Sequence, residues 1–149
     1  MDKHEYMKTA LDMARVALRK GEVPIGAIIV RNEKIIAKAY NRREKTQNAL
    51  AHAETLAIAK ACKKLKSWRL DDCTMFVTLQ PCPMCAGAIL NARIPSVVIG
   101  ALSDRTNSLD VYSDNNLNHK TQVEILEIPE CSSILKEFFG AMRKPKKGA

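Results

Sequence analysis

A chain of 149 residues with 46% hydrophobic content is long enough to bury a core as a single domain, and nothing in it requires a second one. Lys and Arg number 24 against 16 Asp and Glu, a formal charge of +8 that suits a polyanionic partner such as nucleic acid. The opening Met1-Asp2-Lys3-His4-Glu5 is charged at once and no apolar run reaches the ~20 residues of a membrane span, so neither export nor membrane insertion is expected, and the cytoplasm is the expected compartment.

Tyr6, Leu11, Met13, Ala14, Ala17 and Leu18 recur at helical spacing through residues 2–20, and Gly21 stops that helix. Residues 23–30 are apolar and β-branched, 31–34 are turn-like and 35–40 resume the pattern, which predicts a hairpin. Its first strand is apolar throughout, as a strand covered on both faces must be, so helices are expected on each side of the sheet. Residues 41–51 read as a polar loop. A helix then runs from 52 to about 66, a strand over 74–78, a second helix to about 93, and a strand over 96–100. Residues 101–120 are polar and aperiodic, a long surface loop with one helical turn around 109–112. A last strand over 122–126 and a helix over 130–142, striped by Ile134, Leu135, Phe138 and Phe139, complete an α/β three-layer domain around a mixed sheet of about five strands. The whole of 1–149 is one domain, with a short basic tail from about Arg143. Much of the positive charge lies in 60–66 and 143–147, where it also fits plain solvated surface.

Chemistry concentrates in Ala51-His52-Ala53-Glu54 and in Pro81-Cys82-Pro83-Met84-Cys85-Ala86-Gly87-Ala88. His52 and Glu54 fall in the first turn of one helix; Cys82 and Cys85 share a face one turn apart at the start of another, where Pro83 lacks an N–H the helix does not need. One His and two Cys make three ligands, the number that leaves a tetrahedral zinc an open position for water, whereas structural sites close with four. A carboxylate beside such a water can take its proton and hand it to a leaving group. His-x-Glu with Pro-Cys-x-x-Cys is the signature of the zinc nucleobase deaminases. The competing readings are a four-ligand structural zinc using a further Cys, or a redox Cys-x-x-Cys with an unrelated histidine. Of the remaining cysteines, Cys62, Cys73 and Cys131 read as reduced, buried apolar residues.

The chain resembles the bacterial tRNA-specific adenosine deaminases, the TadA family. The residues that carry the likeness are Glu22-Val23-Pro24-Ile25-Gly26-Ala27, Asn41 eleven residues ahead of His52, His52-Ala53-Glu54, Thr78-Leu79-Gln80-Pro81-Cys82-Pro83-Met84-Cys85-Ala86-Gly87-Ala88, and Phe138-Phe139 with Arg143-Lys144. The resemblance implies a cytidine-deaminase-like fold and hydrolytic deamination of adenosine to inosine at the wobble position of a tRNA anticodon, by a homodimer with one zinc per subunit. By position it implies His52, Cys82 and Cys85 as zinc ligands, Glu54 as proton shuttle, and Asn41, Val23, Ile25, Pro81, Phe139 and Arg143 around the substrate. Read from the residues alone, Asn41 could cap the end of a strand, Val23, Ile25 and the aromatic pair could be core, and Arg143 could belong to a solvated tail.

Two departures stand out. Where the family carries Gly-Ala-Arg-Asp and then a Gly-rich turn, this chain has Gly100-Ala101-Leu102-Ser103-Asp104-Arg105-Thr106-Asn107-Ser108-Leu109, a few residues shorter, so the aspartate is replaced by Ser103 or its role falls to Asp104. Gln80 stands where a glutamate is common before Pro-Cys. Two alternatives follow. One is a free nucleobase or nucleoside deaminase, such as a guanine deaminase, which shares the Leu70-Asp71-Asp72-Cys73 pattern; the other is a non-catalytic, zinc-stabilised RNA-binding module.

Overall fold

The computed structural model describes residues 1–105, 108–114 and 119–143, the side chain of Arg143 excepted. Helix α1 spans Lys3–Arg19: the Asp2 carboxylate accepts the Glu5 amide at 2.9 Å as its N-cap, and Gly21, at φ 76°, lets the chain turn away at its end. Its buried face is Tyr6, Met7, Ala10, Leu11, Ala14 and Ala17.

The first strand starts later than its apolar run. Pro24 has no amide for a ladder, and the Ile25 amide donates to the Val23 carbonyl at 2.8 Å, so residues 22–25 form a tight turn and β1 is Gly26–Arg31. Strand β2 is Lys34–Tyr40, and Asn32 and Glu33, at φ 50° and 65°, give the hairpin turn the handedness that matches strand twist. The segment expected to be a plain loop holds a one-turn helix, α2, at Arg43–Thr46. Helix α3 (Ala53–Leu65), β3 (Cys73–Val77), α4 (Pro83–Asn91) and β4 (Ser96–Ile99) follow. A 3-10 turn at Ser108–Ser113 lies where one helical turn was expected, ahead of β5 (Gln122–Ile125) and α5 (Pro129–Arg143).

The five strands form one mixed sheet in the order β2-β1-β3-β4-β5, with β1 antiparallel to both neighbours and β3, β4 and β5 parallel. Alternation along the central strands feeds two cores. Ala27, Ile29, Met75, Val77, Val97 and Ile99 pack toward α3 and α4; Ile28, Val30, Phe76 and Val98 pack toward α1 and α5. That is why β1 reads as apolar throughout, and it makes the domain the expected three-layer α/β/α arrangement. Strands β2 and β3 both run antiparallel to β1 and so in the same direction, which places the starts of α3, after β2, and of α4, after β3, beyond the same end of the sheet.

Among the described residues no helix is long and apolar enough to cross a membrane. All five cysteines are free, with Cys73 and Cys131 fully buried and Cys62 packed against the α3 core.

Candidate active site

Two helix starts build the site. His52 is the N-cap residue of α3 and Cys82 that of α4, yet neither side chain makes a capping hydrogen bond, so both are left to point away from their own helix. Pro83 opens α4 as expected, and Cys85 follows one turn in, fully buried.

His52 Nδ1 lies 3.7 Å from Cys82 Sγ and 3.5 Å from Cys85 Sγ. An imidazole nitrogen and a thiolate sulfur bound to one tetrahedral zinc are about 3.6 Å apart. The two separations match two edges of such a tetrahedron, and all three donor atoms lie within 4.8 Å of one another, so the three residues fit the metal. Among the described residues they form one group able to hold a metal, without a fourth cysteine: Cys62, Cys73 and Cys131 lie outside it, which removes the closed four-ligand reading. Burial, with the charge of Arg43, lowers the His52 pKa and so favours the neutral imidazole a metal needs. Burial and then the charges of Glu54 and Cys82 push the Cys85 thiol well up, so in this chain a metal must displace a tightly held proton.

Glu54 lies outside the ligand group but beside Cys85. Its side chain is 3% exposed, and burial raises its carboxyl from an ordinary 4.5 to about 7, opposed by hydrogen bonds from its own backbone and from the Cys85 thiol. A carboxyl that titrates near neutrality can both take and release a proton at working pH.

The other expected site residues divide. Pro81 is buried immediately ahead of Cys82, and its carbonyl accepts the Ser108 hydroxyl at 2.5 Å. Val23 and Phe139 meet in a groove of about 540 Å³ between the turn after β4 and α5, with Arg43, Leu79, Asp104 and Arg105 in its walls. The Arg105 guanidinium sits 5.2 Å from the centre of the Phe139 ring, and Phe138 meets that ring edge-on at 5.3 Å. Ile25 packs into both cores and does not line that groove. Asn41 is buried, its Oδ1 accepting the Arg43 amide at 3.3 Å. The Arg143 side chain and the tail beyond it lie outside the described residues.

Three polar residues that the motif reading had not assigned to the site hold it together. Both oxygens of the buried Glu22 carboxylate accept amides of α2, from Glu44 at 3.0 Å and Lys45 at 2.8 Å, and this fixes the segment between Asn41 and His52. Gln80 ties the strand end to the loop that departs from the family: Oε1 accepts the Ser103 amide at 3.0 Å and Nε2 donates to Ser108 Oγ at 3.3 Å. Ser108 in turn reaches Pro81, so the shortened loop is anchored one residue from Cys82. Such bonds span many residues and leave no periodic trace in a sequence.

A mixed sheet that gathers one His and two Cys at two helix starts, with a buried carboxylate beside them, defines a hydrolytic deaminase. The chain belongs to the MafB19-like deaminase family, whose profile matches residues 1–143, and within it to the tRNA-specific adenosine deaminases. It is 46% identical over 150 residues to the tRNA-specific adenosine deaminase of Bacillus subtilis (strain 168), covering 97% of this chain and 92% of that one. It is 40% identical over 147 residues to the enzyme of the same name from Aquifex aeolicus (strain VF5), covering 96% and 97%. A solved structure from work on A-to-I editing by tRNA:A34 deaminases at the wobble position of transfer RNA superimposes with a TM-score of 0.85 at 34% identity, covering 89% of this chain and all of that one. A Bacillus subtilis guanine deaminase also matches, with a TM-score of 0.67 at 29% identity over 98% of this chain and 99% of that one. The resemblance read from the motifs holds over nearly the full length.

Proposed function

We infer that this chain deaminates adenosine to inosine in tRNA, at the wobble position of an anticodon, with zinc held by His52, Cys82 and Cys85. The observation that carries the reading is Glu54: a buried carboxyl titrating near 7, beside an imidazole nitrogen 3.5 and 3.7 Å from two cysteine sulfurs. The names and closeness of the relatives support tRNA adenosine over a free base.

A zinc ion held there would supply Lewis acidity that lets a water serve as the nucleophile toward C6 of adenine. The chain's own residues do the rest. His52, kept neutral, and the two cysteines hold the ion between two helix starts, whose unpaired amides favour negative charge there. Glu54 takes a proton at its carboxylate and returns it to the departing amine. Asn41, held by the Arg43 amide through Oδ1, keeps its amide nitrogen to present to the base. Val23 and Phe139 line a groove where Phe139 and Arg105 offer a ring face and a cation to an RNA strand, and Arg143 is a further RNA contact on the strength of the family likeness. A target inside a stack cannot reach these groups, so the nucleotide must swing out, which a loop permits at lower cost than a duplex. The unit of function is a homodimer with one zinc in each subunit, working in the cytoplasm.

The test offers the purified protein a panel of anticodon stem-loops with adenosine at the wobble position, alongside free guanine, cytosine and adenosine. Inosine and ammonia are expected from a stem-loop alone, one metal per chain, and no turnover by Glu54→Ala at unchanged metal content. Ammonia from a free base without RNA refutes the RNA assignment. Salt-sensitive RNA binding with no ammonia from any substrate refutes catalysis.

A further inference from the structure

Helix α2 cannot hold itself in place. Its residues, Arg43–Thr46, are all exposed, its N-cap residue Arg42 makes no side-chain cap, and a single turn is far too short for a helix to persist unaided. Each of the orphan amides at its start is nevertheless bonded. The Arg42 amide donates to the Ala51 carbonyl at 3.0 Å, the Arg43 amide to Asn41 Oδ1 at 3.3 Å, and the Glu44 and Lys45 amides to the two oxygens of Glu22 at 3.0 and 2.8 Å. The bonds to Glu22 are charge-assisted and shorter than the one to Asn41, so Glu22 supplies most of the hold.

This is a costly way to cap a helix. Glu22 is 2% exposed, and among the described residues no cation pairs with it. A Ser or Asp at position 42 would cap α2 without burying a charge. What the distant carboxylate adds is a tie between two parts of the substrate site. Glu22 opens the turn that carries Val23 into the groove, and the Ile25 carbonyl of the same turn accepts the Asn41 amide at 3.2 Å. Asn41 thus has its backbone fixed by that turn and its side-chain oxygen fixed by α2, and Glu22 joins the two. An Asn amide has a donor end and an acceptor end; with Oδ1 occupied, the donor end is left for a base. Were α2 to drift, the Arg43 amide would leave Oδ1 and either end could face the base. We propose that Glu22 is a positioning residue for substrate recognition, acting through Asn41 by holding α2 where its first amide fixes the Asn41 side chain. The metal donors are set separately, by the starts of α3 and α4, which pack in the core. The proposal rests on the tRNA reading above and deepens it.

Glu22→Gln keeps the shape but turns one of two acceptors into an N–H donor facing an amide. Glu22→Asp keeps the charge one methylene short of α2, and carries the comparison should the Gln variant fail to fold. Wild type, both variants, Asn41→Ala, and Glu22→Gln combined with Asn41→Ala are compared for metal content, for hydrogen exchange of the Glu44 and Lys45 amides, and for KM and kcat on a wobble-adenosine stem-loop. Glu22→Gln is expected to hold metal as wild type does, to exchange those amides about tenfold faster, and to raise KM about tenfold with kcat little changed. In the Asn41→Ala background the same substitution is expected to leave KM nearly where it was, because the side chain it acts through has gone. An unchanged KM overturns the proposal whatever the exchange rates, and so does a KM effect that multiplies with that of Asn41→Ala. A fall confined to kcat, loss of metal, or loss of fold in both Glu22 variants makes Glu22 a structural residue and overturns it equally. Wild type that turns over no stem-loop overturns the tRNA reading itself, and this inference with it.

Discussion

Burying Glu54 has a thermodynamic consequence that can be measured without substrate. In the metal-free protein the carboxyl titrates at about 7, against an ordinary 4.5. Its folded-state pKa is raised, so the protonated form favours folding: the stabilisation is fully present below pH 4.5 and is lost as pH rises through 7. At about 1.4 kcal/mol per pK unit this is a loss of about 3 kcal/mol across that window, a large share of the stability of a domain this size. Glu54→Gln cannot ionise and keeps a side-chain acceptor for the Cys85 thiol. Urea unfolding of chelator-treated protein at pH 4.5, 5.5, 6.5 and 8 should give similar stabilities for wild type and variant at the acid end. At the alkaline end the variant should be more stable by about 3 kcal/mol. Two curves running parallel over that range would refute the reasoning, because they would mean that the folded protein leaves Glu54 as well solvated as the unfolded chain does.

Metal uptake by the stripped protein should release protons, since the Cys85 thiol is held up by burial and by Glu54; calorimetry in buffers of different ionisation enthalpy reads the number, and uptake without release would contradict the assignment of Cys85 as a ligand. Gly26→Ala would place a Cβ 2.0 Å from the Ala10 carbonyl oxygen and 2.6 Å from the Ala14 nitrogen, both backbone atoms of α1, so the helix must move and the variant should lose about 3 kcal/mol or more in urea unfolding. Gln80→Ala removes the bridge from the end of β3 to Ser103 and Ser108; proteolysis should then cut within residues 101–114 sooner than in wild type, at a local cost of about 1–3 kcal/mol and with metal content unchanged.

How much of this was legible in the chain follows from the range over which each feature is determined. His52 with Glu54, and Cys82 with Cys85, are set by covalent spacing within one helical turn, so their local geometry could be read directly; their meeting in space needed only the order of helices and strands. The two-sided burial of β1 was legible from Ala27, Ile28, Ile29 and Val30 for the same local reason. The start of β1 was misplaced because apolar character was allowed to outweigh Pro24, which cannot serve a ladder. Helix α2 was missed because its amides are received by Glu22, over twenty residues earlier, and its own sequence carries no cap. Tyr112 was read into a helical turn, but no pattern in a polar loop announces that one of its side chains is the most deeply buried phenol in the chain. Val23, Ile25 and Phe139 all pack against a core, and Val23 and Phe139, over a hundred residues apart, also line one groove, a meeting that spacing does not reveal.

The site is also where this fold gives up stability. Among the described residues Glu54 is buried without a cationic partner, and Tyr112 has a buried hydroxyl with no hydrogen-bond partner. Each is unfavourable for folding, and a nearby cation would favour the charged form of the Glu54 carboxyl. The surrounding packing is what tolerates the deficit. Ala53, Ala57 and Ala61 of α3 and Ala86 of α4 are buried small residues that let the helices approach each other and the sheet closely, while Met75, Val77, Ile89 and Ile99 fill the core beneath them without exposure. Larger side chains on those faces would hold the helix starts apart, and His52 Nδ1 would no longer stand 3.5 and 3.7 Å from the two sulfurs. The alanine faces are therefore part of the chemistry: they set the distance at which an imidazole, two sulfurs and a carboxyl can act on the same atom.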